Sequence, residues 1–130
     1  MTTPSSPLPV AVIGAGPVGL AAAAHLLARG ETPIVLEAGD AVGAFIRQWS
    51  HVRFFSPWKY TVDSASVALL DPTGWTIPYP ESAPTGLDIV ARCLRSSSAL
   101  VGGAVSGLIS VQRGTGWPDS LRGLVLEQCH

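Results

Sequence analysis

Three glycines, in the order Gly14-Ala-Gly16-Pro-Val-Gly19, and one acid, Glu37, are the residues of this sequence whose type and spacing suit chemistry. Glycine at Gly14 permits a tight turn. At Gly16 it removes the side chain that would keep another molecule off the backbone, and at Gly19 it lets a following helix sit close to a sheet. The free N–H groups at the start of such a helix, with the positive end of its dipole, stabilise an anion without a lysine, and this loop carries no basic residue. The expected ligand group is a diphosphate. No Gly-Lys-Ser/Thr follows the glycines, so a P-loop is excluded. Glu37 stands 18 residues past Gly19, where a carboxylate accepts hydrogen bonds from both hydroxyls of a ribose and repels a 2′-phosphate. The pattern therefore points to a dinucleotide and away from NADP at this turn. A glycine-rich turn that binds nothing is the competing account, and it leaves the placement of Glu37 unexplained.

The elements that must hold these residues are legible around them. Val10-Ala-Val-Ile13 is a short apolar run ended by glycine, which predicts a strand buried on both faces of a parallel sheet. Pro17 suits the first turn of a helix, Leu20 to Arg29 consists largely of strong helix formers, and Gly30 suits the position just past a helix end. Ala23, four residues after Gly19, is small enough for helix and strand to pack. Pro33-Ile-Val-Leu-Glu37 is a second buried strand, completing a β-α-β unit within Val10 to Ala38. The fold class expected is α/β: a Rossmann-like βαβ unit with parallel strands, forming an incomplete or truncated three-layer domain.

From Gly39 to Pro84 the pattern turns irregular, predicting loops and short elements. Trp49, Phe54, Phe55, Trp58 and Tyr60 in this stretch are five of the nine aromatic residues, a concentration that more often fills a core than lines a pocket. Thr85-x-x-Asp88 reads as a capping box with aspartate in place of the usual Glu or Gln, and Leu87, Val90, Ala91 and Leu94 then recur at helical spacing. A helix over about Gly86 to Arg95 is expected. Beyond Ser96, serine and glycine supply 12 of 35 residues, and only the apolar patches Ala99-Leu-Val101 and Leu124-Val-Leu126 read as strands. The chain thus divides into a leader over 1–9, a nucleotide-binding region over 10–95 and an atypical tail over 96–130. The change of texture suggests that residues after about Arg92 are an altered reading of a longer relative.

The totals exclude several classes. With 8 basic and 9 acidic residues and a net charge of −1, the chain lacks the positive footprint that nucleic-acid or anionic-membrane binding requires. The apolar run Val10 to Ala24 is shorter than the ~20 residues of a spanning helix, is broken by glycines and a proline, and has no basic segment before it. A cytoplasmic protein is expected. Cys93 and Cys129 form neither a Cys-x-x-Cys pair nor a metal-ligand spacing, so no dithiol centre, disulfide scaffold or metal site is expected. His25 reads as a helix-face residue and His51 and Arg53 as solvated loop, and no catalytic constellation follows from spacing.

From Val10 to about Leu94 the chain resembles the N-terminus of FAD-dependent oxidoreductases of the flavin-containing monooxygenase and thioredoxin-reductase-like group. The resemblance rests on proline inside the glycine loop at Gly14 to Gly19 and on Val35-Leu-Glu37-Ala38-Gly39-Asp40-x-x-Gly43 with Trp49 after it. Phe54-Phe-Ser-Pro-Trp58 is a looser match. The resemblance implies that Gly14, Gly16, Pro17, Val18 and Gly19 contact the pyrophosphate of FAD, Glu37 and Ala38 the adenosine, and Gly43 and Trp49 the inner part of the cofactor. It implies NADPH or NADH as electron donor and a small organic substrate, with redox chemistry belonging to the flavin. Members often carry Gly-Gly where this chain has Gly43-Ala44. The family's second dinucleotide domain and its C-terminal flavin-closing segment have no counterpart here, so an incomplete catalyst is expected. Two other readings are a non-catalytic fragment that binds ADP moieties and a fragment of an NAD-binding dehydrogenase.

Overall fold

The structure is a computed structural model that describes residues 8–104 and 108–110, with side chains for residues 8–100. Three parallel strands form its sheet in the order β1-β2-β3: β1 (Val10–Ile13), β2 (Pro33–Glu37) and β3 (Leu108–Ser110). β1 and β2 run in register from Val10 opposite Pro33 to Ile13 opposite Leu36, and β2 continues from Val35 opposite Leu108 to Glu37 opposite Ser110. Helix α1 (Pro17–Ala28) crosses between the first two strands, as parallel pairing requires. The α/β class and its Rossmann-like β-α-β unit are as the sequence implies.

Local chemistry accounts for each boundary of that unit. Pro17 opens α1 where its missing N–H costs nothing. At the other end Gly30 takes a left-handed φ of 75°, its N–H reaches the Leu27 carbonyl and that of Glu31 reaches Leu26, which together satisfy two terminal carbonyls. Pro33, Val35 and Glu37 of β2 are buried, and Ile34 and Leu36 are half-buried. β1 departs from expectation. It was expected to be buried on both faces, but Val10 is 37 % and Ile13 79 % exposed, and among the described residues β1 is an edge strand of the sheet.

Between the unit and the last helix lie α2 (Ala44–Gln48), α3 (Trp58–Thr61), α4 (Ser64–Leu70) and a 3₁₀ turn at Asp71–Thr73, the short elements anticipated for this stretch. Asp63 caps α4 by accepting from the Ala65 and Ser66 amides, and also meets His25 of α1 at 3.1 Å. Partial burial works to raise the Asp63 carboxyl, but the His25 ring and these amides outweigh it and hold the group below the usual carboxylate range.

The final helical stretch begins with the full capping box at Thr85 and Asp88. It comprises α5 (Gly86–Asp88), a π-helical segment at Ile89–Leu94 and α6 (Arg95–Ala104). Helical structure therefore runs past Arg95, and Ala99-Leu-Val101 is helical instead of extended. The strand of this region is β3 instead, while Leu124-Val-Leu126 and Cys129 lie outside the described residues. One core unites the parts: Leu20 and Ala23 of α1, Val35 of β2, Ile46 of α2, Trp58 of α3, and Ile89, Val90 and Leu94 of the π segment.

Candidate dinucleotide site

The glycine turn leaves β1 at Gly14, with φ at 97°, and its shape is imposed by two contacts. A Cβ at Gly19 would overlap the Gly14 carbonyl, so only glycine lets α1 begin this close to the strand it follows. At Ala15, which is fully buried, the N–H donates to Glu37 Oε2 at 2.7 Å and the carbonyl accepts from the Gly43 N–H at 3.0 Å. The other Glu37 oxygen accepts from the Gly39 N–H at 2.8 Å. Glu37 is only 5 % exposed, and its carboxylate ties the glycine turn to the turn after β2.

This arrangement fits an anion at the start of α1. Gly16 is the N-cap and supplies no side-chain cap, and the amides of Gly16, Val18 and Gly19 have no acceptor among the described residues. No atom lies within 4 Å of where a Cβ of Gly16 would stand, so open space faces the backbone at the point where a diphosphate would be received. Each Glu37 oxygen holds one N–H, and a carboxylate oxygen has a second lone pair to accept a hydroxyl.

The remaining expected site residues fall into two groups. Pro17, Val18 and Ala38 are exposed beside the turn and the end of β2. Gly43 is buried with φ at 67°, and a Cβ there would press on Val90 and Leu94, so it supports the turn from the core side. Trp49 is 38 % exposed and tilts against Phe54 with ring centroids 5.7 Å apart. The aromatic concentration divides: Trp58 joins the core, while Phe55 and Tyr60 stand in solvent. His51 is exposed and Arg53 donates to the Ala83 carbonyl.

Reasoning from sequence missed Ala15 and Gly39, whose amides complete the grip of Glu37. The signal available was the glycine immediately after Glu37-Ala38, a residue free to turn its N–H back toward the acid. Among the described residues no group of three His, Cys, Asp or Glu side chains is placed to hold a metal ion, and no helix is long and apolar enough to cross a membrane. Compared with known protein families, residues 11–74 match the family described as pyridine nucleotide-disulphide oxidoreductase. No solved structure matches the chain.

Proposed function

Given that residues 11–74 match the pyridine nucleotide-disulphide oxidoreductase family, we propose that the Gly14–Gly19 turn binds the diphosphate of FAD in a flavin-dependent oxidoreductase. The observation that carries this reading is the trio of acceptor-free amides at the head of α1, opposite open space at Gly16 and beside a buried carboxylate. In this assignment Gly14, Gly16, Pro17, Val18 and Gly19 surround the diphosphate, Glu37 and Ala38 meet the adenosine ribose, and Gly43 and Trp49 lie toward the flavin side. Bound FAD would supply hydride and electron transfer. The chain's own residues bind, orient and exclude water, and none of them is assigned a proton-transfer step. NADPH or NADH as donor, a monooxygenase-type use of oxygen and a cytoplasmic setting complete the proposal, with neither nucleic acid nor membrane as partner.

The test is retention of flavin. Purified chain incubated with FAD and passed over a gel-filtration column should elute with flavin absorbance, and a colourless protein peak would defeat autonomous FAD binding. Calorimetry separates the second reading, a binder of ADP moieties without catalysis, which the concentration of contacts at Ala15 and Glu37 favours. FAD binding more tightly than ADP-ribose supports the flavoprotein. Equal affinity assigns the ADP-moiety binder, because no contact beyond the diphosphate would then contribute.

A further inference from the structure

A cavity of about 320 Å³ opens beside α1, between it, the chain from Phe54 to Ser66 and the helical stretch from Ile89 to Ser97. Leu20, Phe54, Ile89 and Leu94 make most of its wall apolar, and that volume is at the small end of ligand pockets, with room for a single-ring molecule. Thr61 and Asp63 also line it, but the Thr61 hydroxyl donates to the Pro57 carbonyl and the Asp63 carboxylate holds the Ala65 amide and His25, which leaves two serines as the other oxygen-bearing side chains of the wall. Ser66 of α4 is 5 % exposed and Ser97 of α6 is 1 % exposed, and the buried Ser97 hydroxyl has no oxygen or nitrogen partner among the described residues, its polar neighbour being the Cys93 thiol. Cys93, one helical turn before Ser97, lines the same space and offers only a weak polar neighbour. Burial pushes its thiol up, with the Ser97 hydroxyl acting the other way, so the thiolate is scarce and a thiol reagent modifies it slowly.

Burying the Ser97 hydroxyl without an oxygen or nitrogen partner costs stability, which a structure serving only its own core would avoid by placing alanine there. The π-helical segment Ile89–Leu94 shifts the register of the helix just before Ser97, and such segments concentrate where a helix is bent to serve a ligand. Pro17 and Val18, the exposed lining residues, place the opening next to the head of α1.

We propose that this cavity is a binding site for a small single-ring apolar molecule bearing a hydroxyl, of the phenol class, with Ser66 and Ser97 as its polar recognition groups. The site stands on the cavity and its two hydroxyls alone and does not require the dinucleotide assignment. It is distinct from the turn that would take the diphosphate, although the two share Pro17 and Val18 as border.

Protection of Cys93 from a neutral thiol reagent tests the site, in full-length chain carrying C129S so that a single thiol reports. 4-Methylphenol should slow Cys93 modification, and toluene should need about five-fold higher concentration for the same slowing, the share of one neutral hydrogen bond. In the S66A/S97A variant the two compounds should become equal. A21L, which fills the space from α1, should remove protection by both, with thermal melting checking that each variant is folded. The proposal fails if neither compound protects, if they are equal in the parent chain, or if protection survives A21L. It also fails if FAD protects and 4-methylphenol does not, since the cavity would then be part of the dinucleotide site.

Discussion

At Ala15 a single residue carries the constraint of the whole anion turn, its N–H held by the Glu37 carboxylate and its carbonyl by the Gly43 amide. Replacing Glu37 with glutamine leaves one oxygen for two donors, because the amide NH₂ must face either the Ala15 or the Gly39 N–H. A buried donor without an acceptor costs about 1–3 kcal/mol, so E37Q is expected to lower the melting temperature and weaken ADP-ribose binding together. Calorimetry and thermal unfolding on the same preparation check this. G19A should be harsher, since its methyl would overlap the Gly14 carbonyl, a backbone atom with no rotamer to change. Loss of FAD retention on gel filtration is the expected result, and a G19A protein that still carries flavin would contradict the packing role assigned to this glycine. The glycines and the acid were legible in the sequence because their roles depend on local geometry. The use of Ala15 and Gly39 was not, because any residue carries a backbone N–H and nothing in its type announces which one will be used.

Elements divided the same way. Capping residues are local, and Thr85 with Asp88 form the reciprocal pair that the spacing implied. T85A removes a hydroxyl that accepts from the Asp88 N–H and is expected to destabilise the protein by about 1 kcal/mol, read from its urea midpoint. Asp88 adds a pH dependence. Hydrogen bonds from the Thr85 N–H and hydroxyl hold its carboxyl below the usual range, partial burial opposes them, and Arg92 and Arg53 assist. Protons therefore bind the unfolded chain more readily than the folded one. The stabilisation is complete above the ordinary carboxylate range and is lost as pH falls through the folded-state value. Urea midpoints should drop on acidification from about pH 6 to about pH 3, and D88N should flatten that part of the profile. By contrast α6 was misread, because Ser96-Ser-Ser98 and Gly102-Gly are poor helix formers. Its helicity follows from docking: Ser97 is buried and α6 packs on α1 and α4, a tertiary gain that no local propensity records.

Across the whole molecule the core joins the first β-α-β unit to the last helical stretch, with Leu20 and Val35 at one end and Val90 and Leu94 at the other. L20A should cost about 2–5 kcal/mol, as truncation of a leucine that is 1 % exposed does in well-packed cores, and chemical denaturation measures it. The parallel order of β1 and β2 was legible because a helix of this length between two short apolar runs permits little else. Exposure of β1 was not, since an apolar tetrad reads the same whether or not a neighbour covers it.

The double hold on Ala15 also couples tight binding to resistance against heat. Gly43 leans on Val90 and Leu94, so slackening in the distant hydrophobic interior reaches the loop through one residue, and a ligand that steadies the loop must in turn brace that interior. Variants selected only for surviving higher temperatures should thus include some that capture nucleotide better, without any change at a residue the nucleotide touches.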